Sequence, residues 1–353
     1  RTTLYFHRRV AAEQHLRTAQ TLDRTLSVSS RLVDISRDLS AAAGAHPEHM
    51  SNHLAYLQDR YPFEPYRLLA AGLADDLRNA VADDVEARLD AGASIPPLRL
   101  RSSADLLAPL KLVDQDLRKN RLEAIAETNL KDALYQTQAF GLHAARLDIR
   151  QFSTYNRKVL DELLCKLGVV DQYAALPAAE RTALLTVLLE QWPPDLRQVT
   201  DLSDVALESL ALFRLLRRVV DNYGAESLGP FIVSMTNGAD VLLTVLLLAR
   251  WAGLCIPADD RPVEGIGIVP LFETRADLRA APEIMADLYN HPIYARHLQR
   301  LGNRQMVMIG YSDSNKDAGY ITAKWELFRA QEALVACSRN HGIKLTLFHG
   351  QGG

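Results

Sequence analysis

The sequence lacks the cysteine pattern of a disulfide framework or of a structural zinc site. Its three cysteines, Cys165, Cys255 and Cys337, lie far apart and form no C-x-x-C pair. It also lacks an excess of positive charge, since the net charge is -3 and the pI is about 6.4. These values give no reason to expect a nucleic-acid partner. We therefore expect a protein of the reducing cytoplasm. Its basic residues are expected to have individual local roles and not to form a surface for nucleic acid.

No segment is apolar for long enough to span a bilayer, which takes roughly 20 residues. The longest apolar run, Val241 to Ala249, is closed by Arg250, and no secretion signal is visible. A hydrophobic content of 48% over 353 residues is ample for the core of a soluble globular protein. Because the chain starts at Arg1 without methionine and stops at Gly353 in a glycine-rich stretch, we expect it to be a piece of something longer.

The first part of the chain has the periodicity of helices. Apolar residues recur at helical spacing from Arg1 to about Ala43, and the run from Asp105 to Gln138 repeats the pattern. We therefore predict a mainly helical region over residues 1–140.

The character changes at Gly141, after which apolar runs typical of strands alternate with helical segments. The predicted strands cover His143–Arg150, Pro230–Thr236 and three runs that end at Glu273, near Asp313 and at His349. This βα repetition favours parallel strands, and no nucleotide-binding fingerprint of an open sheet is present. We predict an α/β fold in which residues 141–353 form part of a (β/α)8 barrel, incomplete here, with a large helical addition.

Polar side chains follow the predicted strands, where a barrel places its active site. Glu273 and Asp313 offer two carboxylates for Mg²⁺, although either could instead cap the next helix. Lys316 could bind an oxyanion at a helix start, or pair with Asp313 or Asp317.

Two further strand-end residues are candidates. His349, which precedes glycines, could act as a general acid or base or contact an anion, or be purely structural. Arg150 could clamp a carboxylate or phosphate, or form a barrel salt bridge with Asp148. The residues alone predict a Mg²⁺-assisted enzyme acting on a small anionic substrate.

Four motifs in this order resemble phosphoenolpyruvate carboxylase. They are RLDIRQ at 146–151, VPLFET at 269–274, GYSDSNKDAG at 310–319 and LTLFHG at 345–350. Weaker agreements, EPYR at 64–67, SADLLAPL at 103–110 and SMT at 234–236, extend the resemblance over most of the chain.

The resemblance implies a (β/α)8 barrel wrapped in extra helices, a cytoplasmic homotetramer, and anaplerotic carboxylation of phosphoenolpyruvate with bicarbonate to oxaloacetate and phosphate. It implies that Glu273 and Asp313 hold Mg²⁺, with Mn²⁺ as a substitute, to stabilise an enolate. Arg150 and Lys316 would bind anionic substrate, and His349 would line the phosphate and bicarbonate site. The glycine-rich loop at Gln351, Gly352 and Gly353 would also face substrate.

The sequence departs from the family at several positions. Gln351 replaces the arginine of the family's HGRGG loop, and an amide cannot neutralise charge. Phe152 stands where glutamate is usual. The family's TAHPTE motif, with its catalytic histidine, and a second GRGG loop are absent; His46-Pro47-Glu48 is interpreted as an ordinary loop.

These departures lead us to expect the central part of such an enzyme. We predict that residues 1–353 alone are inactive, which measurable turnover by that purified segment would refute. Two alternatives stay open: a divergent Mg²⁺-enolate enzyme whose anion selectivity Gln351 has altered, and a non-catalytic paralogue that serves assembly or regulation.

Overall fold

The computed structural model describes residues 1–45, 50–90, 92, 95–255, 265–311 and 319–350. The fold is α/β, mostly helical, with one five-stranded parallel sheet. The chain divides into two compact units. Unit 1 comprises Arg1–Arg146 and Asp221–Ser227, and unit 2 comprises Leu147–Val220 and Leu228–Gly353.

Unit 1 is helical in its described residues, as the apolar periodicity predicts. Ser36 and Ser51 begin two of its helices by accepting hydrogen bonds from the backbone N–H groups of Leu39 and Leu54. The main helices are Thr2–Thr25, Arg37–Gly44, Asn52–Arg60, Pro65–Val81, Val85–Arg88, Ser103–Lys119 and Lys131–Phe140.

The helical periodicity from Asp105 to Gln138 covers more than one helix. The helix ends at Lys119, and Arg121 has a φ of 60°, which a right-handed helix cannot contain. The chain then re-forms as Glu123–Ile125, a π-helical turn at Ala126–Leu130, and Lys131–Phe140.

The core of unit 1 is built mainly from leucines and alanines, and it contains a buried tyrosine, Tyr66. The Tyr66 hydroxyl donates to Asp116 Oδ1 at 2.6 Å, so its polar end is satisfied inside the core. Other fully buried members of this core are Leu39, Leu54, Leu57, Leu77 and Leu117.

The described part of unit 2 contains a strand at each of the five predicted places, and the strands lie side by side in chain order. The first begins at Leu147, four residues later than the predicted start at His143. Every neighbouring pair is parallel, as the βα repetition predicts. The strands are β1 (Leu147–Phe152), β2 (Leu228–Ser234), β3 (Ile268–Phe272), β4 (Arg304–Gly310) and β5 (Lys344–Gly350).

The burial of the strands follows their place in the sheet. β3 is buried along its whole length and β2 nearly so, which matches their continuous apolar sequences. The outermost strands, β1 and β5, are more exposed. Because all five strands are parallel, their carboxyl ends point to one edge of the sheet.

Helices connect the strands. The helix after β2, Ala239–Trp251, is buried over most of its length, as its leucine-rich sequence requires. The other α-helices described between consecutive strands are Ser153–Lys166, Ala178–Glu190, Asp204–Tyr223, Arg275–Asn290, Pro292–Arg300 and Tyr320–Asn340. Across the described ranges, every helix is too short or too polar to cross a membrane.

Candidate active site

Side chains from three neighbouring strands meet at the carboxyl edge of the sheet. Arg150 lies on β1, Ser234 is the last residue of β2, and Glu273 directly follows β3. The register aligns Phe152 of β1 with Ser234 of β2. Because consecutive strands are parallel and adjacent, these residues approach one another although they are far apart in sequence.

Arg150 connects the three strands. Its Nε donates to Ser234 Oγ at 2.7 Å, and its Nη2 donates to Glu273 Oε1 at 3.0 Å. The Glu273 side chain is only 7% exposed, whereas that of Arg150 is 50% exposed. Burying a carboxylate without a partner costs free energy, and the Arg150 guanidinium is the partner of Glu273. The other side of the guanidinium stays open to solvent. Arg150 thus pairs with Glu273, and not with Asp148 as the salt-bridge alternative supposed.

The second oxygen of Glu273 is held by backbone. Met235 N–H donates to Glu273 Oε2 at 3.1 Å, and Met235 has a φ of 57°, a left-handed conformation that a methionine rarely adopts. The Ser153 hydroxyl donates to the Met235 carbonyl at 2.9 Å, and Ser153 is buried. Strained backbone of this kind persists where the surroundings hold it, and here it directs an N–H group at a carboxylate.

Gly310, at the end of β4, makes room for Glu273. A Cβ atom at this position would lie 3.2 Å from Glu273 Cγ and 3.4 Å from Glu273 Cα. Contacts of that length are tighter than carbon atoms normally accept, so a side chain at 310 would force Glu273 to move. The glycine of the GYSD motif therefore has a packing role at the site.

His349 lies at the end of β5, in register with Ile309 of β4. Its Nδ1 lies 2.6 Å from the hydroxyl of Tyr311, and the two rings are tilted by 43° with centroids 5.7 Å apart. The Lys324 ammonium lies 4.6 Å from the centroid of the Tyr311 ring. His349 therefore has a defined polar partner at the end of the neighbouring strand.

The structure brings two of the predicted site residues, Arg150 and Glu273, into direct contact. His349 contacts Tyr311 instead, and its strand is separated from β1 by the rest of the sheet order. Five predicted residues lie outside the described residues: Asp313, Lys316, Gln351, Gly352 and Gly353. The same holds for His46, Pro47 and Glu48, which the sequence predicts to form an ordinary loop.

Sequence reasoning missed the roles of Ser234, Met235, Ser153 and Tyr311. Ser234-Met235-Thr236 directly follows an apolar strand, which is the signal that could have marked the first two. The hydroxyl of Thr236, the third residue of this group, donates to the Val233 carbonyl at 2.9 Å, and Thr236 is fully buried.

Glu273 has the chemistry of a metal ligand, because it is a carboxylate whose two oxygens are oriented by hydrogen bonds from Arg150 Nη2 and from Met235 N–H. Within the ranges that the structure describes, no group of three or more His, Cys, Asp or Glu side chains converges to hold a metal ion. Mg²⁺ is usually held by one or two carboxylates together with several waters.

Comparison with known proteins gives one consistent result. A family model described as phosphoenolpyruvate carboxylase matches residues 1–353. A phosphoenolpyruvate carboxylase of Roseiflexus castenholzii is 37% identical over 349 residues, covering 98% of this chain and 37% of that protein. One of Burkholderia mallei is 35% identical, and one of Paraburkholderia xenovorans 33%, each over 98% of this chain and 35% of the relative. The chain spans little more than a third of the length of these curated relatives.

Proposed function

Because the chain belongs to the phosphoenolpyruvate carboxylase family, we propose that it serves the carboxylation of phosphoenolpyruvate with bicarbonate, giving oxaloacetate and phosphate. The reaction is assigned to a protein of the length of the relatives, an enzyme of the carboxy-lyase class. The observation that carries the proposal is the buried Glu273 carboxylate, paired with Arg150 at the carboxyl ends of parallel strands.

In the proposed reaction, a bicarbonate oxygen attacks the phosphorus of phosphoenolpyruvate, and the bond from phosphorus to the enol oxygen breaks. The products are carboxyphosphate and the enolate of pyruvate. Carboxyphosphate releases phosphate and CO2, and the enolate carbon adds to CO2 to give oxaloacetate. Negative charge thus moves from a phosphate ester to an enolate oxygen, so the site needs fixed positive charge at both places.

Arg150 supplies one such charge. Ser234 and Glu273 fix two edges of its guanidinium, while half of the side chain stays open to solvent. A planar guanidinium with free N–H groups suits two oxygens of a phosphate or carboxylate. Lys316 is proposed as a second cationic group for substrate or intermediate, on the GYSDSNKD motif alone.

Glu273 and Asp313 are proposed to hold Mg²⁺, or Mn²⁺ in its place. The fit rests on Glu273, whose two oxygens are oriented by Arg150 and by Met235 N–H. When bound, the ion supplies positive charge where the enolate oxygen forms. The protein's own contribution is to hold the Glu273 carboxylate in place before the ion arrives.

His349 is proposed to line the phosphate and bicarbonate site, with Gln351, Gly352 and Gly353 following it in a glycine-rich loop. A histidine N–H and loop N–H groups are suitable donors to such anions. Gln351 donates a hydrogen bond but adds no charge, so we expect weaker anion binding than with the arginine of the family motif.

The rest of the proposal concerns architecture. Five parallel strands in consecutive order are compatible with part of a (β/α)8 barrel over residues 141–353, with residues 1–140 as a helical addition. We propose a homotetramer in the cytoplasm on the family resemblance. That residues 1–353 alone are inactive stays a prediction.

The test is bicarbonate-dependent formation of oxaloacetate from phosphoenolpyruvate and Mg²⁺ by the protein at the length of its relatives. Wild type and Gln351→Arg are assayed side by side, with oxaloacetate reduced by malate dehydrogenase and NADH. Robust wild-type turnover supports the carboxylase and shows that glutamine is tolerated. Turnover by Gln351→Arg alone would refute the function for this lineage, and would support the divergent enzyme instead.

A further inference from the structure

Tyr311 lies between two strand ends of the site. It follows β4 directly, and its backbone N–H donates to the carbonyl of Gly350, the last residue of β5, at 3.3 Å. Its side chain turns to the same strand, where the hydroxyl lies 2.6 Å from His349 Nδ1. Tyr311 is thus attached to the end of β5 through both backbone and side chain, and His349 is the residue that it orders.

The short contact between Tyr311 and His349 has two possible directions. Either the phenol O–H donates to an unprotonated Nδ1, or a protonated Nδ1 donates to the phenol oxygen. In a neutral imidazole, the first arrangement places the proton on Nε2, and the second leaves Nε2 as an acceptor. The direction of one hydrogen bond therefore decides whether the other ring nitrogen can donate to an anion.

Lys324 favours donation by the phenol. Its ammonium lies 4.6 Å from the centroid of the Tyr311 ring and 5.4 Å from that of Tyr320. A cation over the ring is attracted to the face of the π system, and its field makes the phenol oxygen a weaker acceptor and the O–H a stronger donor. The charge of Lys324 therefore favours the arrangement in which Nε2 of His349 carries the proton.

We propose that Tyr311 is a positioning residue for His349, and that its hydroxyl fixes the neutral tautomer in which Nε2–H is the donor to an oxyanion substrate. This inference rests on the proposed function for the identity of the oxyanion, a phosphate or bicarbonate. The contact between Tyr311 and His349 does not depend on the proposed function, because the alignment of β4 with β5 brings the two residues together. Removal of the hydroxyl frees Nδ1 and lets the proton exchange between the two nitrogens.

The experiment uses diethyl pyrocarbonate, which acylates an unprotonated imidazole nitrogen. In the proposed tautomer that nitrogen is Nδ1, and the Tyr311 hydroxyl covers it. Tyr311→Phe in the protein at the length of its relatives should raise the rate of modification at His349 about five-fold, the factor for loss of one ordinary hydrogen bond. The rate is read by mass spectrometry of the peptide that contains His349, so it needs no activity.

Tyr320→Phe is the matched control, because Tyr320 also has its ring beside Lys324 but is 67% exposed on the following helix. We expect Tyr320→Phe to retain the wild-type modification rate. Circular dichroism melting of both variants checks that neither change unfolds the protein. An equal rate in wild type and Tyr311→Phe would overturn the proposal, since Nε2 would already be the free nitrogen.

The same variants are assayed for oxaloacetate formation. Tyr311→Phe should lower kcat/KM for phosphoenolpyruvate about ten-fold, with Tyr320→Phe unchanged. Faster modification without a loss of kcat/KM would overturn the positioning role. A wild type that forms no oxaloacetate would refute the proposed function instead, and the modification rates would still decide the Tyr311–His349 pairing.

Discussion

Arg150 and Glu273 form an ion pair across the carboxyl ends of three parallel strands, with Nη2 and Oε1 3.0 Å apart. Arg150 lies on β1 and Glu273 follows β3, so the pair spans the end of β2, where Ser234 accepts from Arg150 Nε at 2.7 Å. The arginine is the ion-pair partner of a buried carboxylate, and the carboxylate gives the arginine a fixed orientation. The proposed anion-binding group and the proposed metal ligand therefore orient each other.

Ser234→Ala should weaken substrate binding through Arg150. The change removes the acceptor for Nε, and the net loss of one hydrogen bond to a charged group is about 1.5 kcal/mol. We expect kcat/KM for phosphoenolpyruvate to fall about ten-fold, measured by steady-state kinetics of the protein at the length of its relatives.

The control for Ser234→Ala is Ser338→Ala. Ser338 is also buried in unit 2 and has its hydroxyl 3.1 Å from that of Tyr289, so it loses a comparable hydrogen bond elsewhere. Its kinetics should match wild type. Equal kcat/KM for the two serine variants would argue against a role for Ser234 in holding Arg150.

Gly310→Ala should displace Glu273. The new Cβ would lie 3.2 Å from Glu273 Cγ and 3.4 Å from Glu273 Cα, which is tighter than most such contacts, so Glu273 must shift to admit it. We expect a loss of about 1–3 kcal/mol in the free energy of unfolding and a roughly ten-fold loss of Mn²⁺ affinity. Chemical denaturation and Mn²⁺ titration measure the two effects.

Gly267→Ala provides the comparison for Gly310→Ala. Gly267 lies just before β3, and a Cβ there would meet only Pro230 Cβ at 3.8 Å, an ordinary contact. This variant should keep wild-type Mn²⁺ affinity. If Gly310→Ala also binds Mn²⁺ normally, the close approach of β4 is not what orients Glu273.

His297 should make unit 2 sensitive to acid. Burial, assisted by Arg300, lowers the pKa of His297 to about 4, and the side chain is 1% exposed. Between pH 6.5 and 4, His297 binds a proton in the unfolded state but not in the folded state. The free energy of unfolding therefore falls as pH falls through this window. The full difference corresponds to about 3 kcal/mol.

His297→Asn removes the titrating group. Urea unfolding followed by tryptophan fluorescence reports on unit 2, because Trp192, Trp251 and Trp325 all lie there. The loss of stability between pH 6.5 and 4 should be about 3 kcal/mol smaller in the variant than in wild type. Identical losses in both proteins would mean that His297 takes up its proton in the folded state.

The strands and the acidic residue at the site were accessible to sequence reasoning. β2 to β5 are apolar runs bounded by polar residues, and a carboxylate that ends such a run, as Glu273 does, stands out. The break at Arg121 was not accessible, because no glycine or proline marks it and the surrounding periodicity remains helical.

The partners of the site residues could not be predicted either. Ser234 and Met235 act on residues that are distant in sequence, and they reach them only through the register of β1, β2 and β3. The left-handed conformation of Met235 has no sequence signature, since glycine is the residue expected there. Tyr311 was visible in the GYSD motif, but its contact with His349 depends on the alignment of β4 with β5.

The most direct test of the proposed metal site is Mn²⁺ affinity, measured by electron paramagnetic resonance, for Glu273→Gln and Glu283→Gln in the protein at the length of its relatives. Glu283 is an exposed carboxylate on the helix Arg275–Asn290, which follows β3. If Glu273 is a metal ligand, its amide variant should bind Mn²⁺ about 100-fold more weakly, while Glu283→Gln binds as wild type. Unchanged Mn²⁺ affinity in Glu273→Gln would contradict the account.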